Sequence, residues 1–159
     1  MTLETSTANA SDRVLVIERT FDAPPGLVFD VWTRAEHLGK WFGPKDFTLP
    51  FCEIDFRVGG SYRCCMRSPG GEDHWVWGEY CEIVRPEKIV FTWNRGKDAR
   101  GDLWSSTVIE VTFAEQSGQT LFRLHQSEFE TTSYRDEHGF GWGQSLDRLA
   151  SFVEGKETL

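Results

Sequence analysis

Residues 133–155, SYRDEHGFGWGQSLDRLASFVEG, decide the fold. Trp142, Leu146, Leu149 and Val153 recur at spacings of four, three and four, which is the apolar stripe of an amphipathic helix, and Phe152 widens it. Ser133 is placed to cap this helix, with Asp136 three residues on. Gly155 supplies its stop. Upstream the periodicity is different. Strands are expected over 13–21, 47–56, 62–67, 74–84, 88–94, 105–113 and 120–126. They are separated by Val58-Gly59-Gly60-Ser61, Ser68-Pro69-Gly70-Gly71, Arg85-Pro86-Glu87, a charged loop over 95–104, and Gln116-Ser117-Gly118. Two short helices follow the first strand, over 27–33 after Asp22-Ala23-Pro24-Pro25 and over 35–40 before Gly43-Pro44. Strands without intervening helices make an antiparallel meander. Its apolar face has one large cover, the final helix. The expected architecture is α+β, a curved antiparallel sheet wrapped around a long C-terminal helix. One helix cannot fill a strongly curved sheet, so an apolar cavity is expected between them.

The chain has 159 residues, enough for one domain with a sizeable core. That domain is expected over 13–155, with 1–12 as a disordered tail. Hydrophobic residues make up 39% and charged residues 26%, a globular balance. The formal net charge is -8 and no basic stripe is visible, which argues against nucleic acid and against anionic membrane surfaces. No apolar run approaches the roughly 18 residues of a membrane span. The opening residues lack the apolar stretch of a signal peptide, so Asn9-Ala10-Ser11 is read as a chance sequon. Cys52, Cys64, Cys65 and Cys81 form neither a Cys-x-x-Cys pair nor a zinc array. They are expected as reduced thiols in or near strands of a cytoplasmic protein, with no metal. Cys64 and Cys65 are adjacent and should point to opposite faces.

Several segments carry a resemblance. They run in order: Phe29-Asp30-Val31-Trp32; His37-Leu38-Gly39-Lys40-Trp41-Phe42-Gly43-Pro44; Asp55 to Arg63; Gly78-Glu79-Tyr80-Cys81-Glu82-Ile83; Ile89-Val90-Phe91-Thr92-Trp93; and His138-Gly139-Phe140-Gly141-Trp142-Gly143. This succession resembles the bacterial SRPBCC/START-like proteins related to the C-terminal domain of the activator of heat-shock-protein-90 ATPase, over about residues 13–154. The resemblance implies a helix-grip (START-like, Bet v-like) fold. The wider superfamily includes lipid and hormone carriers, polyketide cyclases and oxygenase domains. Chaperone activators carry a further N-terminal domain that the polar residues before Arg13 do not replace, so chaperone binding is not expected.

The seven Trp and twelve Phe fit a bulky core, an aromatic-lined pocket, or both. Trp41 and Phe42 stand where the second short helix meets the sheet, either at a cavity mouth or as a plug. Ile89, Phe91 and Trp93 share a strand face, and Trp75 and Trp77 share another. Cavity lining is expected for Phe91 and most strongly for Trp77, Trp93 and Trp142, because an indole N–H can orient a polar ligand atom. His74, Glu79, Arg95, His125 and His138 are the polar groups that could enter, and a buried Glu beside a His would form an acid/base pair. Gly139, Gly141 and Gly143 lack the βαβ context of a dinucleotide loop, so no cofactor is expected. They suggest close backbone approach, to the sheet before a ligand. No nucleophile motif is present. The leading expectation is therefore binding of a small hydrophobic or amphipathic ligand, with Trp41, Phe42, Trp77, Phe91, Trp93, Trp142, His74 and Glu79 as candidate site residues. An enzyme of cyclase, hydratase or hydrolase type is the second reading, and a chaperone-associated module the third. A homodimer through open sheet edges is a further possibility.

Overall fold

The strand pattern closes into one antiparallel sheet. Its members are β1 (Leu15–Phe21), β2 (Thr48–Ile54), β3 (Ser61–Arg67), β4 (Asp73–Val84), β5 (Lys88–Gly96), β6 (Leu103–Gln116) and β7 (Gln119–Ser127), in the order β1-β7-β6-β5-β4-β3-β2. The helices are α1 (Pro25–Asp30), α2 (Ala35–Trp41) and α3 (Thr132–Val153). The computed structural model describes residues 10–96 and 103–155. Residues 1–9 of the expected tail and 97–102 of the expected loop lie outside them. A 3-10 turn, Ala10–Arg13, precedes β1, and Arg135 of α3 donates to the Asp12 carbonyl.

β1 and β2 stand at opposite edges, so the chain between them must cross the sheet. α1 packs on β6 and β7, and α2 packs on β2 and α3. Together they run over the concave face beside α3. The Pro24-Pro25 pair starts α1 as expected, with Pro24 at the cap position and Pro25 inside the first turn. The cap of α3 differs from expectation. Thr131, not Ser133, holds extended angles (φ -139, ψ 158), and its side chain accepts from the Tyr134 N–H. Ser133 is already helical, so its hydroxyl has no orphan N–H to serve. The edge strand β2 carries Pro50 and a register shift between Thr48 and Phe51; proline at an edge costs no ladder bond and discourages further pairing.

Two glycines are required by close backbone approach. A Cβ on Gly60 would stand 2.0 Å from the Asp55 carbonyl oxygen, inside the turn between β2 and β3. One on Gly78 would stand 2.1 Å from the Thr92 carbonyl oxygen, across the β4–β5 ladder. Both obstacles are backbone, which moves only if pairing breaks. Gly78→Ala is therefore expected to destabilise by about 2–3 kcal/mol, read from urea unfolding; a variant as stable as the wild type would remove this account of the glycine.

Most of the concave face is solidly filled. Trp32, turned inward after α1, lies 4.8 Å from Trp41, 5.8 Å from Phe122 and 5.9 Å from Trp142 between ring centroids. Phe21, Phe29, Phe113 and Phe122 close the region beneath α1. The α3 stripe of Trp142, Leu146, Leu149 and Val153 is buried throughout. All four cysteines are free thiols. Cys64 joins the core, its Sγ 3.0 Å from that of Cys52, while Cys65 turns away from it as strand alternation requires. Among the described residues no helix is long and apolar enough to cross a membrane.

Candidate ligand-binding cavity

The filling fails at one end. Where the first turns of α3 pass the ends of β3, β4 and β5, a cavity of about 130 Å³ remains. Phe42, Met66, Trp93 and Trp142 form its apolar wall, and His74, Arg95 and His138 bring polar atoms to it. Of the three glycines near the start of α3, Gly141 alone borders this space. A Cβ on Gly139 would press on Leu15 of β1 at 3.2 Å, so that glycine serves helix–sheet approach. Gly143 accepts a hydrogen bond from Arg19 of β1 on its carbonyl, at 3.1 Å. Gly141 faces the cavity, and its nearest neighbour would be Pro44 at an ordinary 3.7 Å.

The aromatic wall is a set of tilted rings. Trp93 and Trp142 lie 5.3 Å apart, and Phe42 stands 5.9 Å from Trp93 and 6.0 Å from Trp142. These separations fit tilted and edge-to-face aromatic contacts. Trp41 does not reach the cavity. It is fully buried behind Phe42, and its indole N–H donates to the Val31 carbonyl at 3.1 Å. Trp41 is the plug and Phe42 the wall. Phe91 lines a separate void of about 30 Å³ toward Trp32 and Tyr80, which Phe42 and Trp93 also border.

Trp77 and Glu79 stand elsewhere, a correction to the expected site. On β4 the inward residues are His74, Val76, Gly78 and Tyr80, so Trp77 and Glu79 lie on the convex face, in an open groove with Arg63 and Asn94. Strand alternation alone separates His74 from Glu79, five residues apart. His74 and Glu79 therefore do not meet as an acid/base pair. His125 also faces outward, opposite Val16 and Glu110. His74, Arg95 and His138 are brought together.

The indole N–H groups of Trp93 and Trp142 are both spent within the protein. Trp93 donates to His138 Nε2 at 3.1 Å, and Trp142 donates to Gln126 Oε1 at 3.0 Å. Gln126 in turn donates to Thr107 Oγ1 at 2.8 Å, and Thr107 donates to the Trp93 carbonyl. The chain satisfies buried polar atoms and locks both rings in place. Since an indole only donates, His138 Nε2 must accept, and Nδ1–H donates to the Tyr134 carbonyl at 2.8 Å. His138 is thus neutral with both nitrogens engaged. Burial lowers its pKa to about 4, helped by the Arg95 charge and opposed by the Tyr134 carbonyl.

Arg95 is different. Its Nη2 lies 3.4 Å from His74 Nδ1, a long contact, and its buried Nε has no hydrogen-bond partner among the described residues. Burial lowers its pKa, while the charges of Glu137 and Tyr134 oppose that. The guanidinium stays charged regardless. His74 Nε2 lies 3.5 Å from the exposed Glu72. The sequence reading ended this strand at Asn94 and put Arg95 in the following loop; the structure extends β5 to Gly96, which places Arg95 on the same face as Trp93.

The geometry can be set beside known proteins. A search of the curated proteins returned no match. Among solved structures, a protein from Chromobacterium violaceum is 27% identical, with a TM-score of 0.78 over 89% of this chain and 97% of that one. A protein from Silicibacter pomeroyi described as AHSA1 is 24% identical, with a TM-score of 0.80 over 91% of this chain and 99% of that one. A third, from Nitrosomonas europaea, is 23% identical with a TM-score of 0.77, covering 92% and 97%. These likenesses support the helix-grip architecture. The family model described as "Activator of Hsp90 ATPase homolog 1-like protein" matches residues 22–154, and the chain belongs to that family of SRPBCC/START-like proteins.

Proposed function

We propose that this protein binds a small amphipathic molecule in the cavity between α3 and the ends of β3–β5. The observation that carries the reading is a concave space of about 130 Å³ walled by Phe42, Trp93 and Trp142 and edged by Arg95 and His74. Apolar walls with a few convergent polar groups are the usual anatomy of a ligand site. The reading is of a binding protein in a reducing compartment such as the cytoplasm, in keeping with four free thiols. Binding without catalysis is favoured because His138, the buried imidazole, has neither nitrogen free to move a proton.

Gly141 supplies the test. Glycine within a helix costs roughly 1 kcal/mol against alanine, and a Cβ there meets nothing closer than Pro44. Gly141→Ala is expected to stabilise the fold by about 0.5–1 kcal/mol. Gly141→Leu should fill the space. Thermal-shift titrations with short-chain and single-ring amphiphiles should raise the wild-type melting temperature with concentration and leave Gly141→Leu unmoved. Equal stabilisation of both proteins would place binding outside the cavity.

A further inference from the structure

We infer that the cavity takes a small monocarboxylate, its carboxylate against the Arg95 guanidinium and its apolar body among Phe42, Trp93 and Trp142; this rests on the cavity being the binding site. Arg95 is part of the cavity wall, and among the described residues no carboxylate lies within salt-bridge distance of it. Among the described residues its side-chain hydrogen-bonding atoms make one approach, to His74 at 3.4 Å. Arg95 is half-buried, and Glu137 acts on its charge only from beyond salt-bridge distance, so part of its desolvation cost is uncompensated and falls when an anion makes direct contact. The neighbouring polar groups do not compete for that anion's place, because His138, Trp93, Trp142 and Gln126 satisfy one another.

The geometry also bounds the anion. An engineered apolar cavity of about 150 Å³ holds one benzene, so about 130 Å³ limits the apolar body to one ring or a short chain. A guanidinium presents parallel N–H groups that match the two oxygens of a planar carboxylate. A phosphate dianion would need more donors than one Arg provides, and Glu137 on the same wall opposes a dianion about twice as strongly as a monoanion, which must gain its binding from the direct Arg95 contact. The formal net charge of -8 gives no general attraction for anions, so selectivity must come from this one residue.

The experiment compares acids with their neutral counterparts. Benzoate and benzyl alcohol, then hexanoate and 1-hexanol, are titrated into the full chain at neutral pH by calorimetry. At least one acid is expected to bind roughly 10- to 100-fold more tightly than its alcohol, the range for hydrogen bonds to charged groups. Arg95→Gln should erase that preference while leaving alcohol binding in place, and Arg95→Lys should keep part of it. Raising the salt concentration should weaken the acids alone. Equal binding of acid and alcohol, or a preference that survives Arg95→Gln, overturns the inference and leaves the cavity reading standing. Binding of neither class overturns both. If Arg95→Gln does not fold, the wild-type acid–alcohol difference and its salt dependence decide.

Discussion

Trp142→Ala is expected to destabilise the protein by about 5 kcal/mol. Truncating a buried Trp costs about 3–5 kcal/mol. Trp142 contacts Trp32, Phe42 and Trp93, so three other rings lose a face at once. The substitution also strands Gln126 Oε1, which accepts the Trp142 N–H within the core, and a stranded buried acceptor costs about 1–3 kcal/mol. Trp142→Phe separates the two parts: it keeps most of the ring and drops the N–H. About 1–3 kcal/mol of loss is expected from it, plus a smaller packing term. Urea unfolding of both variants checks the division. If Trp142→Phe matches the wild type, the Gln126 acceptor has found another donor and the polar chain is less constrained than its geometry implies.

The second large effect is on acid stability. His138 has a pKa of about 4 in the folded protein, against an ordinary 6.5. In the folded state protonation must take the lone pair that Nε2 gives to Trp93 and add charge beside Arg95. The unfolded chain meets no such obstacle, so below pH 6.5 it binds more protons than the folded chain. Stability from this group is therefore intact above pH 6.5, falls as the pH drops through that value, and is fully lost near pH 4. The whole loss is roughly 3 kcal/mol, at about 1.4 kcal/mol per pH unit in the steep region. His138→Gln can accept from Trp93 and donate to the Tyr134 carbonyl, and carries no titration. The difference in unfolding free energy between wild type and His138→Gln should change by that amount between pH 7 and pH 4. NMR titration of the intact protein should show the His138 ring unprotonated at pH 6. A ring that titrates near its ordinary value would sink the assignment of Nε2 as an obligate acceptor.

Much of the fold was legible because its signals are local. The stripe of Trp142, Leu146, Leu149 and Val153 predicts a buried helix face, and all four are buried. The turn at Gln116-Ser117-Gly118 joins β6 and β7 where positive φ is needed, at Ser117 and Gly118. The site was only partly legible. Phe42, Trp93, Trp142 and His74 line the cavity as expected, whereas Trp77 and Glu79 do not. In β4 the run HWVWGEY carries its bulkier aromatic pair, Trp75 and Trp77, on the outward face. Hydrophobicity alone therefore favours the wrong side, and the inward set of His74, Val76, Gly78 and Tyr80 looks unpromising.

The amino-acid sequence by itself determined the element types, their order, and the one helix able to cover the sheet, because side-chain periodicity and turn chemistry act over a few residues. It also determined that a glycine-rich stretch would open α3. Only the tertiary structure decided which strand faces turn inward, that Trp41 plugs the core while Phe42 borders a cavity, and that both site indoles spend their N–H groups on Gln126 and His138. It alone brought Arg95 to the cavity with its Nε unpartnered. These outcomes depend on register between strands and helix far apart in the chain, where the choice of hydrogen-bond partner and the leftover space are properties of the assembled packing and of no single segment.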